Sequence, residues 1–174
     1  SSAVGESGGS GTPQITKKVS SVIEKINPGE EKIVNFNDKD YGVKEVKIEV
    51  NSQAQDIRIS ITKYEDKPAE VSVTKEGKIY KYLQINADNL AGKLKKATIK
   101  IQVEKNWINS NGLNKDKVAM FKFVNNQWQE LPSVFKSEDV NQYYYDAEVD
   151  SFSFFAIGEK IEKIQQAPPE RGVV

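Results

Sequence analysis

The sequence predicts an all-β chain folded as an antiparallel two-sheet β-sandwich, and three observations predict it. Apolar residues recur at every second position in stretch after stretch, which is the period of a strand with one buried and one wet face. Turn-forming pairs fall between those stretches at short spacing. Only one segment, Val19, Val22, Ile23 and Ile26, fits a helical period as well.

The elements follow in order. Residues 1–14 are dominated by Ser, Gly and Ala and bury too little apolar surface to order themselves, so they read as a flexible linker. The domain proper spans 15–159. The ambiguous segment at 19–26 is assigned as strand because its surroundings are all β. Ile33 to Phe36 follows as a strand, then Val46, Ile48 and Val50 alternating with Lys47 and Glu49. Ile57, Ile59 and Ile61 alternate with Arg58, Ser60 and Thr62. Val71 to Val73 and Tyr80 to Ile85 read as strands with less regular patterns. Ile99, Ile101 and Val103 alternate with Lys100 and Gln102, and Tyr143, Tyr145, Ala147 and Val149 alternate with Tyr144, Asp146 and Glu148. Val118 to Val124 and Phe152 to Ile157 are apolar on both faces, as expected of strands in the middle of a core. Turn signals separate them at Asn27-Pro28-Gly29, Tyr41-Gly42, Glu76-Gly77, Asn111-Gly112, Asn125-Asn126 and Leu131-Pro132. The count is roughly eight to ten strands, immunoglobulin-like in general architecture. Residues 160–174, with Pro168-Pro169 and Gly172, read as a second linker, so the module is expected to be strung within something longer.

Composition narrows the function classes. Lys plus Arg equals Asp plus Glu, 25 against 25, so there is no basic excess to neutralise a nucleic-acid backbone. The chain has no cysteine, which removes disulfides, zinc ribbons and thiol nucleophiles. It has no histidine either, which removes the commonest general base and every Ser-His or Cys-His arrangement. No stretch approaches the roughly 20 apolar residues of a membrane helix, so membrane contact is expected only through a segment outside this one.

Four candidate sites compete with plainer roles. Asn35, Asn37, Asp38 and Asp40, ending at Gly42, place side-chain oxygens as a calcium loop would, yet the spacing is irregular and a polar turn accounts for them equally. Asn109 to Asp116 is a thinner version of the same pattern. Glu130, Glu138, Asp139, Asp146, Glu148 and Asp150 crowd the last third of the chain as a paired-carboxylate site would, but a solvated strand face explains them better. Trp107, Trp128 and Tyr144 are the aromatics that a sugar-binding platform would use, whereas core packing is the alternative for both tryptophans. No asparagine lies in a glycosylation sequon, and O-glycans on the Ser-rich linker stay open.

An ordered set of features resembles a known family. A strand ends in a tryptophan over Ala97 to Ile108, and a loop leads to the core strand Asp116 to Phe123. A turn then enters a second tryptophan at Asn126-Gln127-Trp128-Gln129-Glu130-Leu131. The tyrosine-rich strand Tyr143 to Glu148 leads to the closing Phe152-Ser153-Phe154-Phe155-Ala156-Ile157. In this order and spacing the chain is similar, over about residues 15 to 159, to the PGF-pre-PGF domain of archaeal cell-surface proteins. It departs where that family carries Pro-Gly-Phe before the last strand, because Asp150-Ser151-Phe152 stands there.

The resemblance implies a non-catalytic, extracellular structural or interaction module of an archaeal envelope protein, related to surface layers and anchored through its parent chain. It implies no catalytic residue. No cofactor is expected except calcium, at the candidate Asn37, Asp38 and Asp40 read from the residues themselves. The expected partners are other envelope proteins, copies of itself or surface glycans. A carbohydrate-binding or adhesion module is the alternative.

Overall fold

The structure is a computed structural model that describes residues 16–161. The expected linker over 1–14 and all but the first two residues of the one over 160–174 lie outside the described residues. Among the described residues eleven strands form two antiparallel sheets. They are β1 (Thr16–Ile26), β2 (Lys32–Asn35), β3 (Val43–Val50), β4 (Ala54–Tyr64), β5 (Ile79–Asp88), β6 (Leu94–Glu104), β7 (Val118–Val124), β8 (Gln127–Glu130), β9 (Ser133–Glu138), β10 (Gln142–Val149) and β11 (Phe154–Glu159). One sheet has the order β9-β10-β6-β3-β2 and the other β1-β4-β5-β11-β7-β8.

Period-two patterning places the core between the sheets. Ile57, Ile59, Ile61, Leu83, Ile85, Phe155 and Ile157 of the six-stranded sheet lie in one continuous apolar cluster with Val46, Ile48, Ile99, Ile101, Val103 and Tyr145 of the five-stranded sheet. All of these are at most 2% exposed, which for side chains of this size is worth roughly 1.5–3 kcal/mol each. The segment at 19–26 is a strand: Thr16 to Ile26 runs in unbroken register beside Tyr64 to Ala54. Its helical spacing yields because the backbone amides and carbonyls of the whole stretch pair with β4, which an extended chain alone allows.

Three expectations need correction. Val71 to Val73 forms no strand; it belongs to the connection over 65–78, which crosses the outer face of the six-stranded sheet. Two strands escaped the sequence pattern, β8 and β9, because both are short, polar and at sheet edges. Trp107 lies beyond the strand end, in a six-residue helix α1 (Lys105–Ser110). The apolar character of β7 on both faces has a specific cause as well. Ala119 and Phe121 point outward into a second cluster with Tyr82 and Ala156, and the 65–78 connection covers it.

Register also fixes where the chain enters and leaves. Thr16 pairs with Tyr64, Tyr64 with Tyr82 and Tyr82 with Ala156, so these residues form one row across the six-stranded sheet. β1 runs away from that row and β11 runs towards the same end, reaching Glu159 three residues beyond Ala156. Thr16 and Glu159, near the two ends of the described residues, therefore lie at one end of the sandwich.

Candidate functional site

The residues singled out by sequence disperse over the molecule. Asp38 caps a 3₁₀ turn at Lys39–Tyr41 by accepting the Asp40 N–H at 2.9 Å, and Gly42 closes it at φ 73, a left-handed conformation that glycine adopts without strain. The positive charge between the two carboxylates comes from the chain itself. Lys17 Nζ lies 3.0 Å from Asp38 and 3.5 Å from Asp40, over the Tyr41 ring. The Asp40 amide and the Lys17 ammonium hold the Asp38 carboxyl below its ordinary range. Asn37 stays exposed beside them. At 109–116, Asn114 caps the turn at Lys115–Lys117 in the same way. Among the described residues no three acidic side chains gather as metal ligands would.

The crowded carboxylates separate into pairs with lysines. Glu138 meets Lys105 at 2.6 Å, Asp146 meets Lys100 at 3.1 Å, Glu148 meets Lys96 at 3.5 Å and Asp150 meets Lys122 at 3.9 Å. Asp139 accepts from the Asn141 and Gln142 amides and from the Tyr144 hydroxyl at 2.6 Å, which lowers its own proton affinity and pushes the Tyr144 phenol up to about 12. Glu130 lies exposed on the edge strand β8. Across the outer face of the five-stranded sheet the pairs form a ladder in which Lys96 and Lys100 of β6 face acids on both neighbouring strands.

The three aromatics occupy three separate places. Tyr144 is on the outer face of the five-stranded sheet, under the Lys44 ammonium. Trp107 packs on Tyr80 with ring centroids 5.0 Å apart, against the main core. Trp128 is on the outer face of the other sheet, wedged between Phe123 and Tyr82. Tyr144 faces outward with Asp146 and Glu148, the residues it shares a strand face with, whereas Tyr145 is buried and Tyr143 packs on Phe135.

The most enclosed polar arrangement was not visible in the sequence. Lys75, 3% exposed, reaches under the 65–78 connection. Its ammonium donates to the carbonyls of Glu76 and Glu159 and lies 4.1 Å from the centre of the Phe121 ring. Burial pushes its pKa down to about 8, against the pull of Glu159, Glu130 and Glu76. Trp128 fastens the same connection by donating Nε1–H to the Val73 carbonyl at 2.8 Å. An open groove runs beside this clamp, lined by Val73, Phe121, Val124, Gln127, Trp128 and Glu130. A lone lysine gives no advance signal, because what buries it is a covering loop with no period of its own.

The sheet edges form the other distinctive feature. β1 and β2 are the edges of the two sheets on one side, and an open groove between them exposes Val22 at 53% and Ile33 at 51%. No helix among the described residues is long and apolar enough to cross a membrane. Compared with known proteins, the chain matches no family model, and no curated protein is significantly similar to it in sequence.

Proposed function

We propose that the domain is a non-catalytic structural and interaction module of an archaeal cell-envelope protein, working outside the cell in a surface layer, filament or stalk. The observation that carries the reading is the position of Thr16 and Glu159 at one end of the sandwich. A domain attached in that way stands out from its parent chain as a side arm. It offers the outer face of the five-stranded sheet and the β1–β2 edge to neighbours, which favours lateral contact over in-line spacing.

Further support comes from how the side chains are used. Most large apolar residues are committed to the core between the sheets or to the smaller cluster under the 65–78 connection, and many carboxylates are paired with lysines or backbone amides across exposed faces. The ordered likeness over 97–157 to archaeal surface domains supports the extracellular location. The test is to label intact cells that make the full-length parent protein with a membrane-impermeant amine reagent. The expected result is modification of exposed lysines such as Lys18 and Lys44 before lysis. Labelling of these residues only after lysis would overturn the reading.

The groove beside Trp128 favours one second reading, carbohydrate binding, because an indole rim with Gln127, Gln129 and Glu130 suits a sugar ring. Titrating neutral oligosaccharides while following tryptophan fluorescence separates the two. A saturable change lost in Trp128→Ala would favour the sugar-binding role.

A further inference from the structure

Among the described residues four strands are sheet edges, and β1 differs from the other three. β2 and β8 are four residues long, and β9 is broken by a bulge between Phe135 and Ser137. Short or bulged edges resist pairing with foreign strands. β1 has eleven residues, no proline and no register shift against β4. Along its length one row of backbone donors and acceptors faces away from β4. Its lysines would ordinarily guard such an edge, but their arrangement is selective.

We propose that β1 pairs antiparallel with β1 of a second copy of this chain about a two-fold axis at Ser21, joining the two six-stranded sheets into one. This deepens the interaction role proposed above by naming its surface and its partner. In this register Lys18 faces Glu24 of the other copy, and Glu24 faces Lys18. All four side chains are on exposed positions of the outer face. Neither residue has an ion-pair partner among the described residues. Ser20 faces Val22, so the two exposed Val22 side chains become diagonal neighbours across the axis. On the inward side Val19 faces Ile23.

The one like-charge meeting is Lys17 against Lys25. Lys17 is already neutralised by Asp38 and Asp40, which leaves a net acidic site for Lys25 to approach. Moving the axis by one residue along the strand, to Ser20 or Val22, breaks both Lys18–Glu24 pairs. The charges thus select one register of one partner, the strand's own copy.

The test is sedimentation velocity over a dilution series of the domain, with Lys18→Glu, with Glu24→Lys, and with an equal mixture of the two variants. The wild type is expected to dimerise reversibly. Each single substitution places like charges opposite each other twice and is expected to weaken the dimer about tenfold. The mixture restores both opposite-charge pairs and is expected to return association to near the wild-type level. Both sites are exposed, and unaltered melting curves will show that the fold is intact. A wild type that stays monomeric at about 1 mM overturns the proposal. Single variants that dimerise like the wild type, or a mixture that does not recover, overturn it equally. A monomer would leave the surface location to the labelling experiment, so the two failures are distinguishable.

Discussion

The outer faces of the two sheets differ in what their strands place there and in what covers them. On the five-stranded sheet the outward positions are Lys96, Lys100, Asp146, Glu148 and Tyr144, and they stay wet, laced by pairs 3.1–3.6 Å long. On the six-stranded sheet the outward positions include Tyr82, Ala119, Phe121 and Ala156, which are buried under the 65–78 connection. That connection is pinned by Lys75 from below and by Trp128 from the side. A strand that is apolar on both faces therefore signals a covering layer, and in this protein an irregular loop supplies it.

Substitutions on either face test this difference. The largest effect is expected at Gly158, where β11 meets β5. A Cβ there would lie 2.3 Å from the Lys78 carbonyl oxygen and 3.2 Å from Ile79 Cα, both backbone atoms that cannot swing aside. Gly158→Ala is expected to cost about 3 kcal/mol or more in urea denaturation, because it forces apart the strands that carry the clamp. Next, Trp128→Ala and Tyr144→Ala remove one outward aromatic from each face. The first loses packing on Phe123 and Tyr82 together with the bond to Val73, and about 2–3 kcal/mol is expected. The second is expected to cost under about 1 kcal/mol, since its partners are solvated. Equal losses would show that the two faces are not different in kind.

The Lys75 clamp gives a pH signature. Its ammonium loses protons near pH 8 in the folded chain and near 10.5 when unfolded, so between those values the unfolded state binds more protons. Stability should therefore rise with pH from about 8 to 10, by about 2 kcal/mol, with Lys81 adding in the same direction. Above pH 10 the trend reverses, because burial of Tyr80 and the Asp139 bond to Tyr144 hold these phenols protonated to about 12. Lys75→Met keeps an apolar stem in the same space and is expected to flatten the rise. A profile unchanged in Lys75→Met would remove the clamp from the account. The smallest effect is on the wet ladder: Lys100→Ala is expected to change stability by less than about 1 kcal/mol, and less still in high salt.

Much of the fold was legible in the sequence because its central strands, β3, β4, β6 and β10, bury one face and wet the other, as the period-two pattern requires. The turn at Asn125-Asn126 was legible too, since both residues adopt the left-handed conformation of a tight hairpin, at φ 53 and 61. The polar edges β8 and β9 were not, because neither has a buried face strong enough to mark its period. Val71 and Val73 misled because one connection buries Val71 without pairing it into a sheet. Of the candidate site residues, Tyr144 was placed from alternation alone. The Lys17–Asp38–Asp40 cluster needed a contact between residues more than 20 positions apart, which no local pattern encodes.

The side-arm reading rests on Thr16 and Glu159 lying at one end of the sandwich. The absence of native cysteines permits clean labelling at introduced ones. Spin labels at Thr16 and Glu159 span three strand spacings, and labels at Thr16 and Ile26 span the length of β1. Pulsed dipolar spectroscopy is expected to give about 15–25 Å for the first pair and about 33 Å for the second. A first distance as long as the second would place Thr16 and Glu159 at opposite ends and contradict the side-arm reading.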